Sequence, residues 1–172
     1  MAVVIRPIQE HENDAVYQMF QDIPERENEA TNHAHGMSRG EFDDFCKKNV
    51  ANSDGQRLPE GKVPQTMYII FDNDIPVGFG KFRPILNDVC IKNRAGHFAY
   101  MISPKHRRKG YATAFMEFVK NEAMKVGLTE IEGAAIEGNV ASCGLMEKMG
   151  GKVKQRIDGD VVYTIALQRR SR

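Results

Sequence analysis

Three cations in a row, Arg107, Arg108 and Lys109, run into Gly110 and then into Tyr111, Ala112 and Thr113, where a helical pattern begins. The first turn of a helix carries backbone N–H groups without intrahelical acceptors, and with them a partial positive charge. Gly110 lets an oxygen-rich ligand approach the backbone closely, and Ala112 is small for the same purpose. The apolar stretch Ala99–Ser103 leads straight into this turn, which is where α/β folds place phosphate groups. The three cations would then surround a diphosphate. A solvated basic loop that merely precedes a helix accounts for the same residues, because short glycine-containing patterns also arise by chance.

Other chemistry-bearing side chains exclude more than they suggest. The three cysteines, Cys46, Cys90 and Cys143, are odd in number and widely spaced. That argues against a disulfide framework and a zinc site, and suits a reducing cytoplasm. His33 and His35 have no third ligand at metal-like spacing, so no metal is expected. Cys143 has no histidine near it in sequence, which speaks against a covalent acyl-enzyme. The net charge of +1 gives no global field toward nucleic acid or membrane, although the basic run Lys105–Lys109 could be read as a small nucleic-acid module. No apolar run approaches the roughly 18 residues that span a bilayer, and the N-terminal residues do not read as a signal peptide.

A chain of 172 residues fits one domain with a substantial core. "AVVIRPI" reads as a strand, and Val16, Met19, Phe20 and Ile23 fall at helical spacing after it. Residues 24–61 are polar, with one helix expected from the N-cap Ser38, burying Phe42, Phe45 and Cys46. "TMYIIFDNDIPVGFGKF" reads as a hairpin turning at Asp72-Asn73-Asp74, and "GHFAYMIS" as a strand stopped by Pro104. The next helix places Tyr111, Phe115, Phe118, Val119 and Val126 on one face and ends at Gly127. A strand follows, then a short helix capped by Asn139, then a closing hairpin. This alternation predicts an α/β domain with a mixed sheet.

Taken in order, "VGFGKFRPILN", "AGHFAYMISP", "RRKGYAT" and "NVASCGLMEKMGG" resemble the GNAT superfamily of acetyl-CoA-dependent N-acetyltransferases, over about residues 66–154. With Arg83, Leu86 and Asn87 the stretch looks most like a bacterial subgroup of predicted acetyltransferases. The resemblance implies a single N-acetyltransferase-like domain over residues 1–172. Its fold would be a mixed, mostly antiparallel sheet with splayed central parallel strands, flanked by helices. It further implies that acetyl-CoA is the co-substrate. Arg107 belongs to the phosphate motif, and the backbone amides of Arg108, Lys109, Gly110, Tyr111, Ala112 and Thr113 hold the pyrophosphate. Tyr100, Met101 and Ile102 pair with the pantetheine arm as with an added strand. An N–H near Met101 meets the thioester carbonyl and its developing oxyanion. Asn139 touches the pantetheine as well as capping its helix, and Ser142 is grouped with it.

The proton carriers are less defined. Many relatives of that superfamily have a tyrosine where this chain has Met146. His97 and Glu137, near strand ends beside the expected splay, are candidate bases, and Tyr100 and Tyr111 are candidate acids by neighbourhood. Arg83 and Asn87 could hold a carboxylate of the acceptor. The implied reaction is direct transfer of acetyl to a primary amine of a small molecule or peptide. A non-catalytic acyl-CoA sensor of the same fold is the alternative, supported by Met146. The acceptor is not named by the sequence, and a homodimer stays among the options.

Overall fold

The structure, a computed structural model, describes residues 2–168. The first sheet takes the order β1 (Val3–Pro7), β4 (Thr66–Asp72), β5 (Ile75–Phe82) and β6 (Phe98–Ile102). Its ladders are antiparallel throughout. β4 and β5 form the expected hairpin, with Asn73 left-handed at its turn (φ 53°). A second antiparallel sheet has the order β7 (Glu130–Ile136), β9 (Asp160–Ala166) and β8 (Gly151–Ile157). Two two-residue strands, β2 (Arg26–Glu27) and β3 (Ala30–Thr31), make a separate hairpin.

β4 is apolar almost without interruption because both of its faces are covered. Met67, Ile69 and Phe71 face one cluster, with helices α1 (Asp14–Asp22) and α2 (Arg39–Ser53). Tyr68 and Ile70 face the other, with α4 (Tyr111–Lys125) and α5 (Val140–Lys148). Phe20 of α1 stacks on Phe79 of β5 with ring centroids 4.8 Å apart. Across the sheet, Gly80 makes room for Phe115 of α4: a Cβ there would come within 2.1 Å of the ring.

Helix starts follow the sequence signals. Asn13 accepts from the Val16 N–H, and Ser38 forms a reciprocal capping box with Glu41. α2 buries Phe42 and Cys46 with Phe45 half-buried, and it continues past the expected end to Ser53. On α4, Val126 departs from the expected face. The helix ends at Lys125, Val126 turns outward as its C-cap and is 56% exposed, and Met116 and Ala123 fill the buried stripe instead. The short helix α3 (Asp88–Lys92), begun by Asn87, had no sequence signal of its own.

The splay of the central strands is complete enough to leave two sheets. β6 and β7 touch at their starts and share no ladder. The His97 N–H donates to the Glu132 carbonyl at 2.9 Å, and the Glu132 N–H donates back to His97 Nδ1 at 2.9 Å. Gly96 permits this approach, since a Cβ there would lie 2.3 Å from the Glu132 oxygen. Beyond this weld the strands part.

Candidate active site

Between the parted strands lies a cavity of about 460 Å³, lined by Tyr100 and Met101 of β6, Ala134 and Ile136 of β7, and Ser142 and Met146 of α5. The register fixes which backbone groups of β6 face it. Ser103 N–H donates to the Val77 carbonyl, and Arg83 N–H donates to the His97 carbonyl. Antiparallel pairs alternate, so Ala99 and Met101 spend their N–H and C=O groups on β5. Phe98, Tyr100 and Ile102 therefore turn theirs to the opposite edge, toward the gap. The N–H expected near Met101 is thus available one residue away on either side, at Tyr100 or Ile102. The Met101 side chain is buried against the α1–α2 cluster.

At the end of β6 the chain makes a 3₁₀ turn (Pro104–His106) and enters the basic loop. Arg108 is left-handed (φ 60°) and Gly110, the N-cap of α4, has φ 87°. Glycine at 110 is thus favoured by its backbone conformation. It offers no side chain to cap the helix, so the first N–H groups of α4 at Tyr111, Ala112 and Thr113 have no intrahelical partners. The Tyr111 side chain is buried and its hydroxyl donates to Asp72, so only its amide faces outward here. Arg108 and Lys109 are exposed on this loop.

The β2–β3 hairpin lies across this groove. Its Glu27 pairs with Arg107, whose Nε also donates to the Ile102 carbonyl at 3.2 Å. Glu29 accepts from the Ile136 N–H at 3.3 Å and from Asn139 Nδ2 at 3.2 Å. Asn139 caps α5 through the Ser142 N–H at 3.2 Å and donates to Ser142 Oγ at 2.9 Å. Two groups expected on the cofactor side, Arg107 and Asn139, are therefore both held by carboxylates of one hairpin.

The candidate proton carriers are not brought together. Tyr100 lines the cavity; burial raises its pKa and a hydrogen bond with Ser142 partly opposes that. His97 is 9% exposed and uses Nδ1 to accept from Glu132, and burial depresses its pKa. Glu137 is exposed and pairs with Arg156. Met146 is buried beside the cavity, and no hydroxyl stands at that position.

The acceptor candidates separate too. Arg83 lines the cavity and donates to the Gly96 carbonyl at 2.9 Å. Asn87 instead orders the chain, accepting from Cys90 N–H at 2.9 Å and donating to the Gly61 carbonyl at 3.1 Å. A second cavity, about 790 Å³, adjoins the first, and His33, Lys81 and Arg83 line both. Lys81 was not singled out from the sequence. Its signal was a charge on the same strand face as Phe79, inside an otherwise apolar hairpin. Burial, then Arg83 and Lys62, bring its pKa down to about 8. Among the described residues no group of His, Cys, Asp and Glu could hold a metal ion.

The family model described as acetyltransferase (GNAT) family matches residues 13–151. An N-acetyltransferase from Staphylococcus aureus Mu50 has the same fold at 14% identity and a TM-score of 0.65, covering 98% of this chain and 100% of that one. The PaiA N-acetyltransferase of Thermoplasma acidophilum, solved in complex with coenzyme A, aligns at 13% identity and a TM-score of 0.62, covering 96% and 99%. YncA of Salmonella typhimurium, solved with acetyl-CoA, aligns at 12% identity and a TM-score of 0.62, covering 100% and 98%. No curated protein matches the chain in sequence.

Proposed function

Because the chain belongs to the acetyltransferase (GNAT) family, we propose that it moves the acetyl group of acetyl-CoA to a primary amine of a small molecule or peptide, by direct attack in a ternary complex. The observation that carries this reading is the open edge of β6 running directly into the uncapped start of α4. One edge of strand and one helix terminus suit the two halves of a long cofactor. The pantetheine amides pair with Tyr100 and Ile102, and the pyrophosphate accepts from the N–H groups of residues 108–113. Solved structures of the same fold with coenzyme A and acetyl-CoA support this assignment.

In the transfer step the amine lone pair attacks the thioester carbon. Charge develops on the carbonyl oxygen, and an outward N–H of β6 stabilises it. Collapse breaks the C–S bond, and the thiolate takes a proton. Tyr100 is suited to donate that proton, because burial keeps its phenol protonated near neutrality, and water reprotonates it afterwards. His97 acts in this reading through position: a proton taken at Nδ1 would cost its bond to Glu132. Glu137 stays outside the step, and the attacking amine gives its proton to water. The domain works in a reducing cytoplasm with its three thiols free.

A second reading, an acyl-CoA sensor without turnover, is favoured by Met146, a thioether beside the cavity where the resemblance implies a tyrosine in many relatives. Calorimetry with acetyl-CoA followed by thiol release over an amine panel separates the two. Catalysis predicts thiol release that depends on the amine. Tight binding with no release on any amine contradicts it and leaves the sensor.

A further inference from the structure

Four cations line the larger cavity. Lys48 and Lys62 stand at its exposed rim, and Lys81 and Arg83 are half-buried at its junction with the smaller one. None of the four forms an ion pair with a carboxylate among the described residues. The carboxylates nearby are engaged or peripheral. Glu29 holds Ile136 and Asn139, and Asp160 pairs with Arg94. Glu41 accepts from the Ser38 N–H, and Asp44 is exposed at the rim. His33, on the wall of both cavities, has its pKa lowered by burial and by Lys81, Lys62, Lys48 and Arg26.

Half-burying two cations side by side is unfavourable unless an anion completes the site. Arg83 keeps guanidinium N–H groups beyond the one given to Gly96. Lys81 lies on β5 directly opposite Ala99 of β6. An anion at this junction is therefore one strand away from the open edge of β6.

We propose that the acceptor is a small molecule carrying both its primary amine and an anionic group, a carboxylate or a phosphate, and that Lys81 and Arg83, with Lys62 at the rim, bind that group. This names the substrate class for the acetyltransferase reading above and rests on it. The rim lysines draw the anion in through a cation-lined cavity, and the junction pair fixes the amine toward β6. The anion's arrival also raises the pKa of Lys81 from about 8, so binding takes up a proton at and above that pH.

Two measurements test this, one of them independent of turnover. With coenzyme A present to fill the cofactor groove, inorganic phosphate should shield Lys81 from an amine-reactive reagent, read at the Lys81 peptide by mass spectrometry. The shielding should persist for Lys81 in Lys62→Met at reduced strength and disappear in Arg83→Met. In thiol release, 2-aminoethyl phosphate and β-alanine should each exceed ethanolamine by at least about tenfold in kcat/KM, mostly through KM. Comparison of the first two distinguishes phosphate from carboxylate. Lys81→Met should erase the preference, and Lys81→Arg, which keeps the charge, should restore most of it. Circular dichroism confirms that each variant is folded. Shielding without thiol release on any amine would sink the enzyme reading and leave the anion site standing. Thiol release without charge preference and without shielding, or transfer to acidic peptides but to neither small anionic amine, would overturn this proposal and leave the enzyme.

Discussion

Along the cofactor groove, Arg107 lies against Glu27 and Lys105 against Asp22. In the larger cavity, Lys48, Lys62, Lys81 and Arg83 meet no such partner among the described residues. The first region is built from backbone, a strand edge and a helix start; two of its cations are paired with carboxylates, and Arg108 and Lys109 stand exposed in solvent. The second is built from side chains whose charge is left open. A ligand entering the groove must exchange with carboxylates that the hairpin supplies. A ligand entering the cavity supplies the missing carboxylate or phosphate itself. On the proposed reading, the difference lets one fold hold a constant cofactor and leave acceptor choice to a few side chains.

The comparison predicts first that open charge costs stability. Lys81 titrates at about 8, against 10.5 for an ordinary lysine. Between those values the unfolded chain holds a proton that the folded one has released, so stability rises with pH through that window. Below it the folded protein carries the whole cost of a charged Lys81. Lys81→Met should therefore raise stability at pH 7 by on the order of 2 kcal/mol. It should also flatten the rise between pH 8 and 10.5, by up to about 1.4 kcal/mol per pH unit. Denaturant melts at several pH values check this, and a variant less stable than wild type at pH 7 would mean that Lys81 is already satisfied.

Backbone construction predicts a different sensitivity on the other side. At φ 87° a β-branched residue is strained and its Cβ branches crowd the cradle. Gly110→Val should weaken acetyl-CoA binding at least tenfold, about 1.4 kcal/mol, while leaving a folded protein. Equal affinity by calorimetry would remove the cradle. The smallest effect concerns the hairpin. Glu27→Gln and Glu29→Gln remove the carboxylates that occupy Arg107 and Asn139, so acetyl-CoA should bind about threefold tighter in the double variant, an exposed-pair effect that shrinks in high salt. Weaker binding would show that the hairpin supports the groove instead of competing for it.

The same division explains what the sequence made legible. The strand before Pro104, Gly110, the α4 pattern and the Asn139 cap are local signals, read from neighbours three or four residues apart, and each appears where expected except Val126, which leaves the α4 face. The acceptor side depends on residues far apart in the chain. Lys81 matters because His33, Lys62 and Arg83 fold around it, and no periodicity encodes that meeting. The β2 and β3 strands are two residues each, too short for alternation to show, yet they bring Glu27 and Glu29 to the groove. Asn87 was legible as a polar loop residue, and its work as the α3 cap required the helix to be seen. The outward N–H groups of β6 required the register, because a one-residue shift exchanges the two edges.

That edge is also where the account is most exposed. Amide-resolved NMR of the labelled protein during an acetyl-CoA titration reads each N–H separately. Binding along the open strand predicts large shifts at Tyr100, Ile102 and residues 110–113, with the Met101 amide still protected from exchange by its bond to β5. Shifts concentrated around Lys48, Lys62 and Phe45, with Tyr100, Ile102 and the start of α4 unmoved, would contradict it.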